Sequence, residues 1–368
     1  MKVAIVHELL TRRGGAERVA KIFAEMFPEA PVYTLLYDEE KLRAWFPPAR
    51  VRASRLQRFA RFSTNHHLYL SAFPRAVEEW DFSEFDLVLS SSSAFAHGII
   101  TNGKPLHLCY VHSPARYLWD ATHEVLARVN VLARPYLSRT FHRLRVWDAE
   151  SADRPDHLLC NSREVQRRIQ LYWRRSADIV PPPIEDFWSA SAGSAEQTPQ
   201  RQYFLIVSTL TPYKRIDLAI EACNAEHARL LIVGEGPDRA RLERLAGPTV
   251  EFLGYRPNEE VRDLYRHALA VVFPGDDDFG LVPLEAQATG TPVLAYRKGG
   301  ALETMIDGKT GVFFDDPTAA SLREGLRRME TAHFSPDDCR AQAQRFSRAT
   351  FEGRIRASIE NLLHARAA

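Results

Sequence analysis

The chain has 368 residues, 45% of them hydrophobic, which is long for one core and points to two domains. A net charge of +1 removes the general electrostatic case for a nucleic-acid partner. Four separated cysteines (Cys109, Cys160, Cys223, Cys339), with no CxxC pair, suggest neither a disulfide framework nor a zinc site and fit a reducing compartment.

The first element, KVAIV at Lys2 to Val6, is a short apolar run suited to a buried parallel strand. Gly14-Gly15 opens a helical pattern from Ala16 to Phe27. Strand-like runs follow at 31–36, 86–90, 106–111 and 157–160. Pro181-Pro182-Pro183 and the stretch SASAGSAEQTPQ then read as a linker. Alternation resumes with strands at 203–208, 229–233, 250–253, 270–273, 292–296 and 311–314. Helices are expected at 214–224, 238–245, 259–267 and 281–289, and a final one at 350–368. Strands alternating with helices indicate βαβ units and doubly wound α/β sheets. The expected organisation is an N-terminal Rossmann-like domain over 1–184, a linker over 185–200, a second Rossmann-like domain over 201–346, and a helix over 347–368 that packs back on the first domain. Ligands in such sheets bind beyond the strand C-terminal ends, so function is expected in an interdomain cleft. No run of about 18 apolar residues exists, so no spanning helix is expected. The first 15 residues lack a signal-peptide cleavage site, so a cytoplasmic location is expected.

Charge is unevenly spread. Residues 41–77 and 125–147 contain no acid, while the first stretch holds eight basic residues and the second five. Two readings stand: a face resting on anionic lipid, or an ordinary solvated Arg-rich face.

The densest chemistry lies in PGDDDFGLVPLE, residues 274–285. The acids occupy the loop after a strand, and Gly280 precedes a helix whose free N–H groups and positive dipole end suit phosphate. Glu285 sits one turn into that helix without a solvated charged face, so it wants hydroxyl partners such as those of a ribose. Asp277 stands eight residues earlier. Acid, phosphate-binding helix start and second acid match a sugar, a diphosphate and a ribose in order. The alternative is an acidic cluster that merely stabilises its own helix.

These residues resemble the E-x7-E motif of the family-four retaining glycosyltransferases of GT-B fold, with Asp277 and Glu285 at that spacing. GGAER at 14–18, NS at 161–162, VGEGP at 233–237, FLG at 252–254 and GGALE at 299–303 fall in family order. YVHSPARYLWD at 110–120 and VSTLTPYKRID at 207–217 resemble the bacterial mannosyltransferases of O-antigen and exopolysaccharide synthesis. The resemblance implies a nucleotide-sugar donor, GDP-mannose in that subgroup, and no cofactor. It puts Glu285 on the ribose and the backbone of Phe279, Gly280, Leu281 and Val282 on the sugar and diphosphate. Lys214, beside Arg215, meets the diphosphate, and Gly14 and Gly15 close over it. Gly234, Gly236, Pro237, Leu253 and Gly254 line the base pocket. His112 lies at the anomeric centre, with Asp277 on the donor sugar. Transfer is expected without a metal.

Two positions depart from the family pattern. The leading Glu is Asp277, and Thr209 stands where the family carries a diphosphate-binding Arg, five residues before Lys214. A donor-binding homologue without turnover, or a nucleotide-sugar epimerase of similar fold, therefore also fits the outline. For the acceptor, Arg116, Tyr117, Trp119 and Asp120 form the expected cluster, with core packing and a local ion pair as the alternative. A saccharide, or a polyprenyl-diphosphate-linked saccharide at the inner membrane face, is the expected acceptor.

Overall fold

Short runs of Val, Ile and Leu covered on both sides build two all-parallel sheets, because a strand buried on both faces has no polar face to alternate with. A computed structural model describes residues 1–127, 129–189 and 201–367, without the side chains of 60–68 and 367. The chain divides into two units, Met1–Pro181 with Glu352–Ala368, and Pro182–Phe351.

In the first unit seven strands lie in the order Val51–Ala53, Val32–Thr34, Val3–His7, Leu87–Ser92, Leu106–Val111, His157–Cys160, Asp178–Ile179. All five residues of Val3–His7 and all six of Leu87–Ser92 are buried. In the second unit six strands lie in the order Val250–Gly254, Leu230–Val233, Tyr203–Val207, Ala268–Phe273, Val293–Tyr296, Gly311–Phe314. Each unit begins at the middle of its sheet, winds to one edge, then returns to pair on the other side of its first strand. The direction of winding therefore reverses beside that strand, and this switch point is where doubly wound sheets receive ligands. It lies beyond His7 and Ser92 in the first unit, and beyond Val207 and Phe273 in the second.

Apolar layers cover both faces of the second sheet. One layer is built on Leu205, Val271 and Val293, the other on Phe204, Ile206 and Leu230. Phe204 and Phe314 are almost wholly buried, each contributing about 1.5–3 kcal/mol over exposure.

Several expectations change in detail. The run at 31–36 splits into Val32–Thr34 and Leu36–Tyr37, and the second piece pairs with Leu9–Leu10 in a separate small sheet. Much of the acid-free stretch 125–147 is the helix Arg134–Ser151, which buries Phe141 and Leu144. The expected linker at 185–200 begins inside the second unit. Asp186–Ser189 is helical, Trp188 packs edge-on against Tyr265, and the Ile184 N–H donates to Phe346 O at 2.9 Å. An indole this deeply buried ties residues 184–189 to that core; residues 190–200 lie outside the described residues. The last helix runs Arg348–Ala367, and its Arg366 bonds the carbonyls of Lys104 and Gly103.

Candidate active site

At the second unit's switch point the loops after Tyr203–Val207 and Ala268–Phe273 meet. Lys214 Nζ lies 2.5 Å from Asp277 Oδ2, and both side chains are mostly buried. Burial alone would lower the Lys214 pKa. The carboxylate of Asp277, with Tyr213 and Asp278 adding, more than offsets it, and the pKa is raised. The ammonium thus stays charged in a poorly solvated place, where charge is felt most strongly.

The three acids have different partners. Asp276 Oδ2 lies 3.0 Å from Lys298 Nζ, while Asp277 holds Lys214. Two glycines press the acid loop into shape. The Gly300 N–H donates to Asp277 O at 2.9 Å, and a Cβ at Gly300 would fall 2.1 Å from Phe279 O. Gly280, at φ +82, turns the chain into the helix Leu281–Ala288, and no side chain caps it. Uncapped N–H groups and the helix dipole leave that start ready for an anion. Glu285 is 7% exposed in the same helix and accepts the Tyr265 hydroxyl at 3.1 Å.

The remaining second-unit candidates fall on neighbouring loops. Thr209 is exposed, just past the first strand. Arg215 is left-handed (φ +51) and lies 3.4 Å from Asp217 Oδ1. A Cβ at Gly234 would fall 1.9 Å from Ser208 O, and one at Gly236 2.3 Å from Leu210 O, so loop closeness demands glycine at both. Pro237 is exposed, Leu253 is half-buried and Gly254 has φ +68. Phe279 packs edge-on against Phe346, and Leu281 and Val282 are half-buried.

At the first unit's switch point three residues form a chain. Ser91 Oγ is 2.7 Å from His112 Nε2 and 3.0 Å from His7 Nδ1. The His112 backbone is fixed on both sides, its N–H to Ser92 O and its carbonyl to Asn161 Nδ2, each at 2.8 Å. Burial, with His7 adding, pushes the His112 imidazole down to about 3, so it is a neutral hydrogen-bonding group near pH 7. Gly14 caps the helix Gly15–Met26, and a Cβ there would meet Glu17 Oε2 at 2.5 Å.

The expected acceptor cluster is largely engaged. Trp119 stacks on Tyr172 (4.7 Å, 11°) and donates to Asp148 Oδ2 at 2.8 Å, an oxygen that also accepts from Trp173 at 2.6 Å. Arg116 lies 3.6 Å from Asp120, which is 3.4 Å from Arg168. Tyr117 also lines a cavity, with His7, Glu8 and Glu17. Glu8 has no motif, and its signal is positional. It follows the first strand directly, opposite four consecutive serines, Ser90 to Ser93, at the end of the neighbouring strand.

Residues 191–346 match the model of the family described as glycosyl transferases group 1. The D-inositol 3-phosphate glycosyltransferase of Corynebacterium urealyticum is 30% identical over 261 residues, 59% of this chain and 61% of that protein. The chain thus spans less than two thirds of the length of that curated relative. HepE of Anabaena, solved in complex with UDP, superposes with a TM-score of 0.72 at 16% identity, covering 98% of this chain and 100% of that one. Sucrose-phosphate synthase of Thermosynechococcus elongatus gives 0.70 at 16% identity, covering 99% and 100%. The chain has the GT-B fold of two Rossmann-like units, and its second unit carries the group 1 glycosyl transferase match.

Proposed function

We propose that this chain is a retaining glycosyltransferase that moves a sugar from a nucleoside-diphosphate sugar to a hydroxyl of a saccharide acceptor. The carrying observation is the second switch point, where the charged Lys214, Asp277, the uncapped helix start at Gly280 and the buried Glu285 sit together within the family match. In this reading the diphosphate takes Lys214 and the helix start, Glu285 takes the ribose, and Asp277 turns from Lys214 to a donor-sugar hydroxyl. Neutral His112 orients the sugar. The bond from C1 to the diphosphate oxygen breaks, the acceptor oxygen bonds C1 on the same face, and the acceptor proton passes to the departing diphosphate. Cationic and backbone groups aimed at that leaving charge supply most of the acceleration. No metal enters the scheme, so chelation should leave the rate unchanged.

The donor in this reading is GDP-mannose, on the resemblance of residues 110–120 and 207–217 to mannosyltransferases. A thermal-shift screen with GDP, GDP-mannose, UDP and UDP-glucose tests it, since a bound nucleotide raises Tm by mass action. Stronger stabilisation by UDP and UDP-glucose would overturn the mannose assignment, and no stabilisation by any of them would overturn the transferase reading.

The acceptor in the same reading is a polyprenyl-diphosphate-linked saccharide met at the inner membrane face. Its support is the segment around the start of Arg134–Ser151, where Val131, Leu132 and Tyr136 are 70%, 90% and 66% exposed beside exposed Arg134, Arg139 and Arg143. Apolar side chains flanked by arginines suit an anionic lipid surface. Among its described side chains the stretch 41–77 offers less, because Arg50 is spent on the carbonyls of Ala24, Phe27 and Ala30 and Arg75 pairs with Glu79; the side chains of 60–68 lie outside the described residues. No described helix is long and apolar enough to cross a membrane. Co-sedimentation with phosphatidylglycerol vesicles should be lost in Leu132→Asp; equal recovery of wild type and variant in the supernatant would remove the membrane from the scheme.

A further inference from the structure

The first unit's switch point holds an anion cradle that the chain fills itself. Glu8 Oε1 accepts the N–H groups of Ser93 (2.6 Å), Ala94 (2.7 Å), Phe95 (2.9 Å) and Ala96 (3.3 Å), and the Ser92 hydroxyl (3.0 Å). Successive backbone N–H groups converging on one point beyond the strands are what a phosphate oxygen ordinarily receives in such sheets. Here a carboxylate, 5% exposed, occupies that point. Burial alone would raise its pKa, but nearby His7 and the N–H groups of Phe95, Ala94 and Ser93 outweigh it, and the pKa is lowered. The group is therefore an anion near pH 7, and it repels a second one.

The cavity beside it carries both signs of charge in its lining, Glu8 and Glu17 against Arg12. It encloses about 230 Å³, smaller than the ~300–1,000 Å³ clefts of drug-sized ligands, so it suits a single ring. Glu17, 5% exposed, lines it as a second carboxylate, with Arg12 3.7 Å away. Tyr117 also lines it, and the Tyr117 hydroxyl is buried with no hydrogen-bond partner among the described residues. A buried hydroxyl left unmatched is costly unless a ligand satisfies it. Leu70, Phe73 and Phe95 add apolar wall, which suits the C–H face of a sugar or cyclitol.

We infer that this cavity is a subsite for an uncharged polyhydroxyl ring, the terminal ring of the acceptor, and that Glu8 excludes a phosphorylated one by filling the phosphate's place. Glu8 and Tyr117 thereby set acceptor specificity. The inference rests on the transferase reading for the word acceptor; the ring-binding site itself does not. It also separates this chain from the curated relative that is named for D-inositol 3-phosphate.

The test is ligand-observed NMR and thermal shift on the full chain, with methyl α-D-mannopyranoside and myo-inositol against mannose 6-phosphate, inositol 3-phosphate and inorganic phosphate. Wild type should bind a neutral ring at least tenfold better than its phosphate. Glu8→Ala should reverse that order and gain stabilisation by inorganic phosphate that wild type lacks. Should Glu8→Ala not fold, Tyr117→Phe keeps the ring and shape and should weaken neutral-ring binding about tenfold. Wild type binding the phosphates as well as the neutral rings, or binding neither class, overturns the inference. The nucleotide screen on the same protein reads the transferase proposal separately. A nucleotide response with phosphate-preferring ring binding sinks this inference alone, and a neutral-ring response without any nucleotide response sinks the transferase alone.

Discussion

The two switch points occupy the same place in two sheets of the same winding, yet they present opposite chemistry. In the second unit a charged lysine, held by Asp277, stands with an uncapped helix start and with glycines where loops must pass closely. In the first unit the converging N–H groups are already occupied by Glu8, and the neighbouring groups are histidines and hydroxyls. Topology decides where a ligand can lie, and a single side chain decides whether that place takes an anion or a neutral hydroxyl. On the proposed reading, a fold made of two such sheets holds a phosphorylated donor and an uncharged acceptor without a separate architecture for each.

The largest expected effect falls on the second unit's site. Lys214→Ala should lower kcat/KM about 10²–10³-fold, the usual cost of losing one group aimed at developing charge. Folding, read by Tm, should be preserved closely enough for comparison, and nucleoside monophosphate binding should persist. Unchanged turnover would mean that the second switch point is not the diphosphate site. Next, Glu285→Gln should weaken nucleotide binding about tenfold to a hundredfold, the range for a hydrogen bond to a charged group. Titration with nucleoside and with its 2′,3′-dideoxy form checks it. If Glu285 holds the ribose, the variant should lose the difference between the two.

Acid should separate the units. Burial pushes His97 down to about 4 and His107 and His112 down to about 3, all in the first unit. These histidines remain neutral in the fold but take up protons on unfolding below about 6.5, so stability is lost as pH falls from there toward 4. Asp148 opposes them: burial raises its carboxyl to about 7, so the fold keeps a proton that the unfolded chain releases above about 4. Three uptakes against one release leave about two protons bound on unfolding, or about 3 kcal/mol per pH unit. Hydrogen exchange at pH 5 should show residues 3–7, 87–92 and 106–111 opening before 203–207 and 268–273. Equal loss of protection in both sheets would contradict the contrast. The smallest expected effect is Thr209→Arg, which should raise turnover severalfold by restoring a cation near Lys214, measured as kcat at saturating donor; a decrease would show the loop intolerant of the longer side chain.

Much of the architecture could be read along the chain. Leu106–Val111, His157–Cys160 and Gly311–Phe314 match the expected runs, because strands buried on both faces are written as unbroken apolar stretches. The helix Arg134–Ser151 was hidden, since four arginines stand within 18 residues and Phe141 and Leu144 are too sparse to announce a face. Part of the expected linker proved to be core because one residue, Trp188, packs there. At the candidate site, Asp277 and Glu285 could be named from spacing on one stretch, and Lys214 from the resemblance of residues 207–217 to a family motif. Glu8 could not, because its partners lie 84 to 88 residues away and are mostly backbone N–H groups, which carry no residue identity.

The sequence by itself determined which segments become strands and helices, and where glycines and acids punctuate them, because those choices follow from local periodicity and backbone freedom. Only the tertiary structure decided which charges meet. Lys214 finds Asp277 across 63 residues, and Glu8 finds a cradle of amides that no motif marks. Electrostatic character depends on distance and burial, and both are set by how the sheets bring distant loop ends together.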